Sequence, residues 1–105
     1  MFLRLWQYRV RPGKVDEFRT VYGRTGAWAG LFGRVGGYLG TELLQSAIDP
    51  DTYVTLDRWE SAEAWAAFLR AYPEDYAALD VRCDSLTADE IEVGGFIEPV
   101  PGAVR

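Results

Sequence analysis

Side chains alternate with period two over residues 3–11, which predicts a first strand. Leu3, Leu5, Gln7 and Arg9 fall on one face, and Phe2, Arg4, Trp6, Tyr8 and Val10 on the other. Pro12-Gly13 ends it. From Lys14 the apolar period lengthens to that of a helix, with Val15, Phe18, Val21 and Tyr22 on one side and Asp16, Glu17 and Arg19 outward. Gly23 and Gly26 interrupt this pattern, and Trp28, Leu31 and Phe32 resume it. A helix in two pieces, ending near Phe32, is the expectation. Two strand patterns follow at residues 38–46 and 52–59, joined by a loop that carries the turn residues Asp49-Pro50-Asp51.

After the second of these the spacing becomes helical again. Ser61 is suited to cap a helix reaching about Ala71, because its hydroxyl can accept from a free amide in the first turn. Trp65, Phe68, Leu69 and Tyr72 recur along it at threes and fours. Pro73 then opens a further helical piece in which Tyr76, Leu79, Cys83 and Leu86 keep that spacing. Thr87 to Glu90 have capping-box spacing, but the residues beyond are β-like. Residues 90–97 are therefore predicted as the fourth strand, bent at Gly94-Gly95. Residues 99–105 read as a loose tail.

The order is β-α-β-β-α-β, a ferredoxin-like α+β plait whose helices cover one face of an antiparallel sheet. It forms one domain over residues 1–98, with no linker or repeat. Placing Leu3, Leu5 and Gln7 under the helices leaves Trp6 and Tyr8 on the uncovered face, too much aromatic surface to stay wet. A second copy packed sheet to sheet would cover it, so a homodimer is expected.

Composition narrows the function. The chain of 105 residues is 49% hydrophobic and 14% aromatic, as a folded domain should be. Its formal charge of −5, without a basic stripe, disfavours nucleic acid or an anionic membrane as partners. No apolar run is long enough for a membrane span, and the run at the N-terminus is too short for a signal peptide. The expected compartment is the cytoplasm. Cys83 is the only cysteine, so no internal disulfide can form. Histidine and asparagine are both absent, which removes Ser-His-Asp and Cys-His triads, His-based zinc sites and a proximal-His haem ligand. No metal and no cofactor is expected.

The stretch from Gly37 to Leu69, with Arg58-Trp59-Glu60-Ser61 at its strand-to-helix corner, resembles the antibiotic biosynthesis monooxygenase (ABM) family. The segments from Tyr22 to Phe32, Tyr76 to Asp80 and Val93 to Phe96 are similar to an uncharacterised bacterial subgroup of it. The resemblance implies a dimeric α/β barrel. It also implies a cofactor-independent monooxygenase acting on an aromatic small molecule of the quinol or anthrone kind, or else a non-enzymatic binding or interaction module of the same fold. Haem-degrading members rely on an Asn in the first strand and a His on the second helix. Gln7 stands at the strand position here and no His exists, so haem degradation is not expected.

An oxygenase of the anthrone type must bind an aromatic plate, favour its anion and exclude water. The candidate pocket residues are Gln7, Arg9, Tyr22, Trp28, Arg58 and Trp65. Trp28 and Trp65 could stack on a ring, or could be core beside Trp59. Gln7 needs a hydrogen-bond partner, from a ligand or from a neighbouring element. Arg9 and Arg58 could hold a phenolate, or pair with carboxylates. Asp57, well inside the third strand, is the candidate general base, or else the partner of an arginine across the sheet or dimer interface.

Overall fold

The computed structural model describes residues 1–99; residues 100–105, most of the expected tail, lie outside the described residues. Eight elements follow in order: β1 (Phe2–Val10), α1 (Val15–Tyr22), α2 (Ala27–Phe32), β2 (Tyr38–Gln45), β3 (Thr52–Trp59), α3 (Ala62–Ala71), α4 (Pro73–Cys83) and β4 (Thr87–Ile97). Each expected helix is thus present as two pieces, and the ferredoxin-like α+β order holds. The strands form one antiparallel sheet in the order β2-β3-β1-β4. None of the described helices is long and apolar enough to cross a membrane.

Local chemistry explains the joints. A Cβ on Gly26 would stand 2.3 Å from the Val21 carbonyl oxygen, so only glycine lets the chain turn this tightly from α1 into α2. The Ser61 hydroxyl accepts from the Ala64 amide at 3.1 Å and caps α3. Pro73 occupies the first turn of α4, where its missing N–H costs nothing. Gly37, at φ 95°, would push a Cβ to 2.6 Å from that of Ala64, so its absence lets α3 sit directly on the entry to β2. β4 begins at Thr87, three residues ahead of the expected start. Thr87 pairs with Val10, and its hydroxyl donates to the Glu90 carboxylate at 3.1 Å. The capping-box spacing is therefore spent within a strand.

The largest correction concerns the two faces of the sheet. Tyr8 packs edge-on against Phe18 and Tyr22 of α1, with ring centroids 5.4 and 4.9 Å away. Phe2, Arg4, Trp6, Tyr8 and Val10 therefore lie beneath the helices, and Leu3, Leu5, Gln7 and Arg9 line the open face. The same alternation places Tyr53, Thr55, Asp57 and Trp59 of β3 beneath the helices, all of them buried. Trp59, Phe18 and Phe68 are fully buried. Phe32 bridges the elements at one end, with its ring 5.4 Å from Trp59, 5.9 Å from Trp65 and 5.1 Å from Phe68. That end is packed solid by rings, whereas the space toward Tyr8 is not.

Candidate functional site

A cavity opens between the sheet and the helices where polar side chains interrupt the rings. β1 contributes Arg4, Trp6 and Tyr8, β2 Thr41, and β3 Thr55 and Asp57. Tyr22, Trp28 and Phe32 form one side of the roof. Tyr76 and Asp80, one helical turn apart on α4, form the other, and Glu90 of β4 stands at the rim. The space that water centres can occupy is about 30 Å³, room for one or two waters. A fused ring system could enter only if side chains move; of the rings in the wall, Trp6 and Tyr76 are half-buried and the others are buried.

The floor is built by strand register. Arg4 and Asp57 are direct partners across β1 and β3, and Thr41 is the partner of Asp57 on the other side. Thr41 Oγ1 donates to Asp57 Oδ1 at 2.7 Å, and the Tyr38 hydroxyl lies 2.6 Å from Thr41 Oγ1. Among the described residues Oδ2 of Asp57 makes no hydrogen bond. Arg4 is buried, stacks over Trp65 at 4.1 Å from the ring centroid and donates to Glu92 Oε1 at 3.0 Å. It shares with Asp57 an attraction too weak to offset burial. Burial accordingly pushes the Asp57 carboxyl up to about 6, with the Thr41 hydrogen bond and Arg4 pulling the other way. Tyr8, 3.1 Å from the Thr55 hydroxyl, and Tyr22 are raised by burial well above the ordinary phenol value. Tyr76 is raised by burial as well, and Arg4 opposes this. Among the described residues, the indole N–H of Trp28, in the roof, has no hydrogen-bond partner.

What this arrangement can do is take a proton and hold an anion. A carboxylate titrating near neutrality is a competent base, and a guanidinium beside it favours the charge that deprotonation leaves behind. Among the described residues no group of three His, Cys, Asp or Glu side chains is placed to hold a metal.

Of the residues named from sequence, Tyr22 and Trp28 line the cavity. Trp65 stands behind Arg4 and does not line it. Gln7 lies on the opposite face of the sheet and cannot reach the cavity, because the strand alternation fell the other way round. Arg9, exposed, is bound to Asp89, and Arg58, also on the open face, pairs with Glu42 at 2.8 Å. Asp57 is in the floor and, among the described residues, pairs with no arginine; the Arg4 guanidinium is taken by Glu92. Sequence reasoning missed Arg4, Trp6, Tyr8, Phe32, Thr41, Thr55, Tyr76, Asp80 and Glu90. One signal was present: Thr55 and Asp57 alternate with Val54, Leu56 and Arg58 and share their face with Tyr53 and Trp59. Polar side chains on an aromatic face mark a place where the core is not closed.

Comparison with known proteins supports the fold. The family model described as antibiotic biosynthesis monooxygenase matches residues 1–73. SnoaB of Streptomyces nogalater, a cofactor-independent oxygenase, is 20% identical with a TM-score of 0.71, over 94% of this chain and 93% of that one. A Bordetella bronchiseptica protein assigned to the antibiotic biosynthesis monooxygenases is 21% identical with a TM-score of 0.73, over 94% and 97%. An uncharacterised NIPSNAP domain protein of Burkholderia xenovorans, 19% identical with a TM-score of 0.67, is covered from end to end, as is this chain. No curated protein matches the sequence.

Proposed function

The chain belongs to the antibiotic biosynthesis monooxygenase family, and from that premise we propose that it is a cofactor-independent monooxygenase of an electron-rich aromatic small molecule, a quinol or anthrone. The observation that carries this reading is Asp57: a carboxylate only 6% exposed, titrating near 6, with one oxygen free in an aromatic-walled cavity beside Arg4. SnoaB, similar in fold, is a cofactor-independent oxygenase, which fits it.

The chemistry needs no prosthetic group because the substrate supplies the electrons. Asp57 removes a proton from the activated CH2 of an anthrone, and Arg4 stabilises the oxyanion of the resulting enolate. The enolate passes electrons to O2, a new C–O bond forms, and the proton taken by Asp57 passes to the peroxide oxygen, which completes the hydroperoxide and returns Asp57 to its carboxylate. Asp57 then removes the remaining C–H proton while the distal oxygen leaves, protonated, as water. The CH2 has become a carbonyl; one atom of O2 ends in product and the other in water. Closed aromatic walls keep bulk water from reprotonating the carbanion.

The test is oxygen uptake with anthrones and quinols by the wild type and Asp57→Asn. Loss of a general base should lower kcat about 10²–10⁴-fold. Wild-type activity should rise with pH through about 6, as Asp57 ionises. Equal turnover by both proteins would sink the assignment of the base, and binding without oxygen uptake would sink the enzymatic reading.

A second reading, a ligand-binding module without chemistry, is favoured by one observation: the free space of about 30 Å³ is small for a fused ring system. It predicts reversible binding of small aromatics with no oxygen consumed.

The homodimer belongs to the same proposal. The open face carries Leu3, Leu5, Val54, Leu56, Leu44, Ile91 and Phe96, with Val93 in the bulge of β4 between Glu92 and Gly94. Ile91, Val93 and Phe96 are each roughly half exposed, at 54, 47 and 45%. Such an aliphatic sheet face matches a second copy of itself. The motive first seen in Trp6 and Tyr8 thus passes to the aliphatic side chains of the other face.

A further inference from the structure

The cavity is acidic as well as aromatic. Three carboxylates line it, Asp57, Asp80 and Glu90, against a single cation, Arg4, whose guanidinium is taken by Glu92 at 3.0 Å. Elsewhere Glu42, Glu63, Asp75 and Asp89 each hold an arginine. Among the described residues, none of the three cavity carboxylates does. Among the described residues, the only hydrogen bond to the Glu90 carboxylate comes from the Thr87 hydroxyl at 3.1 Å. Asp57, more than nine-tenths buried, keeps Oδ2 unbonded within the cavity.

The three are not equivalent. Asp57 sits in the floor at the Arg4 rung, while Glu90 is at the mouth, paired with Tyr8. Arg4 and Tyr8 are four residues apart on β1, about 13 Å at 3.3 Å per residue. Asp80 approaches the same mouth from α4, and both mouth carboxylates are exposed. Between mouth and floor stand aromatic rings, with Trp6 stacked on Tyr8 at 6.4 Å and Tyr22 and Trp28 in the roof. Ring faces beside carboxylates form the environment that favours an organic cation, which both the ring quadrupoles and the negative charges attract.

We infer that the ligand is an aromatic amine: its phenolic or enolic end enters toward Asp57 and Arg4, and its protonated nitrogen stays at the mouth between Asp80 and Glu90, against Trp6. This rests on the reading of the cavity as the ligand site, and it names a substrate class within that reading. Burial raises the titration of Asp80, with Asp84 adding to it, and burial likewise raises that of Glu90. An ammonium ion between them would reverse both shifts. An anionic ligand would instead meet uncompensated carboxylates at the entrance.

Three single-ring phenols of nearly one shape test this: tyramine (cationic), 4-ethylphenol (neutral) and 3-(4-hydroxyphenyl)propionate (anionic). Each is titrated by tryptophan fluorescence into wild type and the double variant Asp80→Asn/Glu90→Gln. Both sites are exposed, and circular dichroism checks that the variant is folded. Tyramine should bind wild type at least tenfold more tightly than 4-ethylphenol at low salt, with the propionate weakest. The preference should shrink in 0.5 M salt and vanish in the variant, whose affinity for 4-ethylphenol should stay within twofold. Equal or better binding of the neutral or anionic phenol, failure of all three to bind, or a preference that survives in the variant would overturn the inference. Oxygen uptake separates this from the proposed reaction. Amine-selective binding with no oxygen consumed sinks the oxygenase and leaves the amine. Turnover of neutral anthrones without amine preference does the reverse.

Discussion

The two faces of the sheet are both apolar, yet they are built from different materials. Beneath the helices lie rings and polar groups: Trp6, Tyr8, Tyr53 and Trp59 with Arg4, Thr55 and Asp57. On the open face lie aliphatic side chains, among them Leu3, Leu5, Val54, Leu56 and Ile91. Curved helices leave irregular gaps that large rings fill at varied angles, and a few polar side chains can bond one another where filling fails. A twisted sheet meeting its own copy is a smoother surface, which β-branched and leucine side chains cover well. The proposed function divides the labour accordingly: the helical side shapes a site, and the open side is the face proposed for association.

The hardest blow to the ring-filled side should come from Trp59→Ala. Its ring is fully buried against Phe32, Tyr38, Trp65 and Phe68, so urea unfolding should show a loss of about 3–5 kcal/mol. A loss below ~1 kcal/mol would mean that the aromatic end is not the core. On the other face, Leu56→Asp should leave the monomer folded and disrupt the dimer, since two unpaired charges would be buried across a symmetric contact at several kcal/mol. Light scattering should fall from about twice the 11.8 kDa chain mass to the chain mass itself. A wild-type monomer at micromolar concentration would dissolve the comparison.

Asp57→Asn sharpens it on the polar side. The folded carboxyl titrates near 6 against an ordinary 3.8, so the native state binds more protons in that window and stability falls as pH rises through it. The asparagine oxygen can still accept from Thr41, so the variant should be more stable than wild type by up to ~3 kcal/mol at pH 8. The gap should close below about pH 4, where both carboxyl states are protonated. A gap independent of pH would refute it. The smallest effect is expected from Gln7→Leu. Lying on the open face, it should leave phenol binding untouched and act, if at all, on the dimer contact beside Val54 and Ile91. Altered ligand choice would mean that Gln7 reaches the cavity after all.

Gln7 also marks where reading the sequence ran out. The elements, their order, the broken helices at Gly23 to Gly26 and at Pro73, and the cap at Ser61 were legible because each depends on neighbours in the chain. Tyr22, Trp28 and Asp57 could be named because a break in a helix and a carboxylate inside a strand are local signals. A period-two pattern, however, is unchanged when its faces are exchanged, and on β1 both faces are apolar. Only the docking of Phe18 and Tyr22 onto Tyr8 decided which one the helices cover. The same docking brought Arg4, Thr41, Asp80 and Glu90 to one cavity from four separate elements. Sequence by itself determined the parts and their order through short-range backbone and capping preferences. The tertiary structure alone decided the face, the cavity and its charge, because those depend on which distant side chains are pressed together.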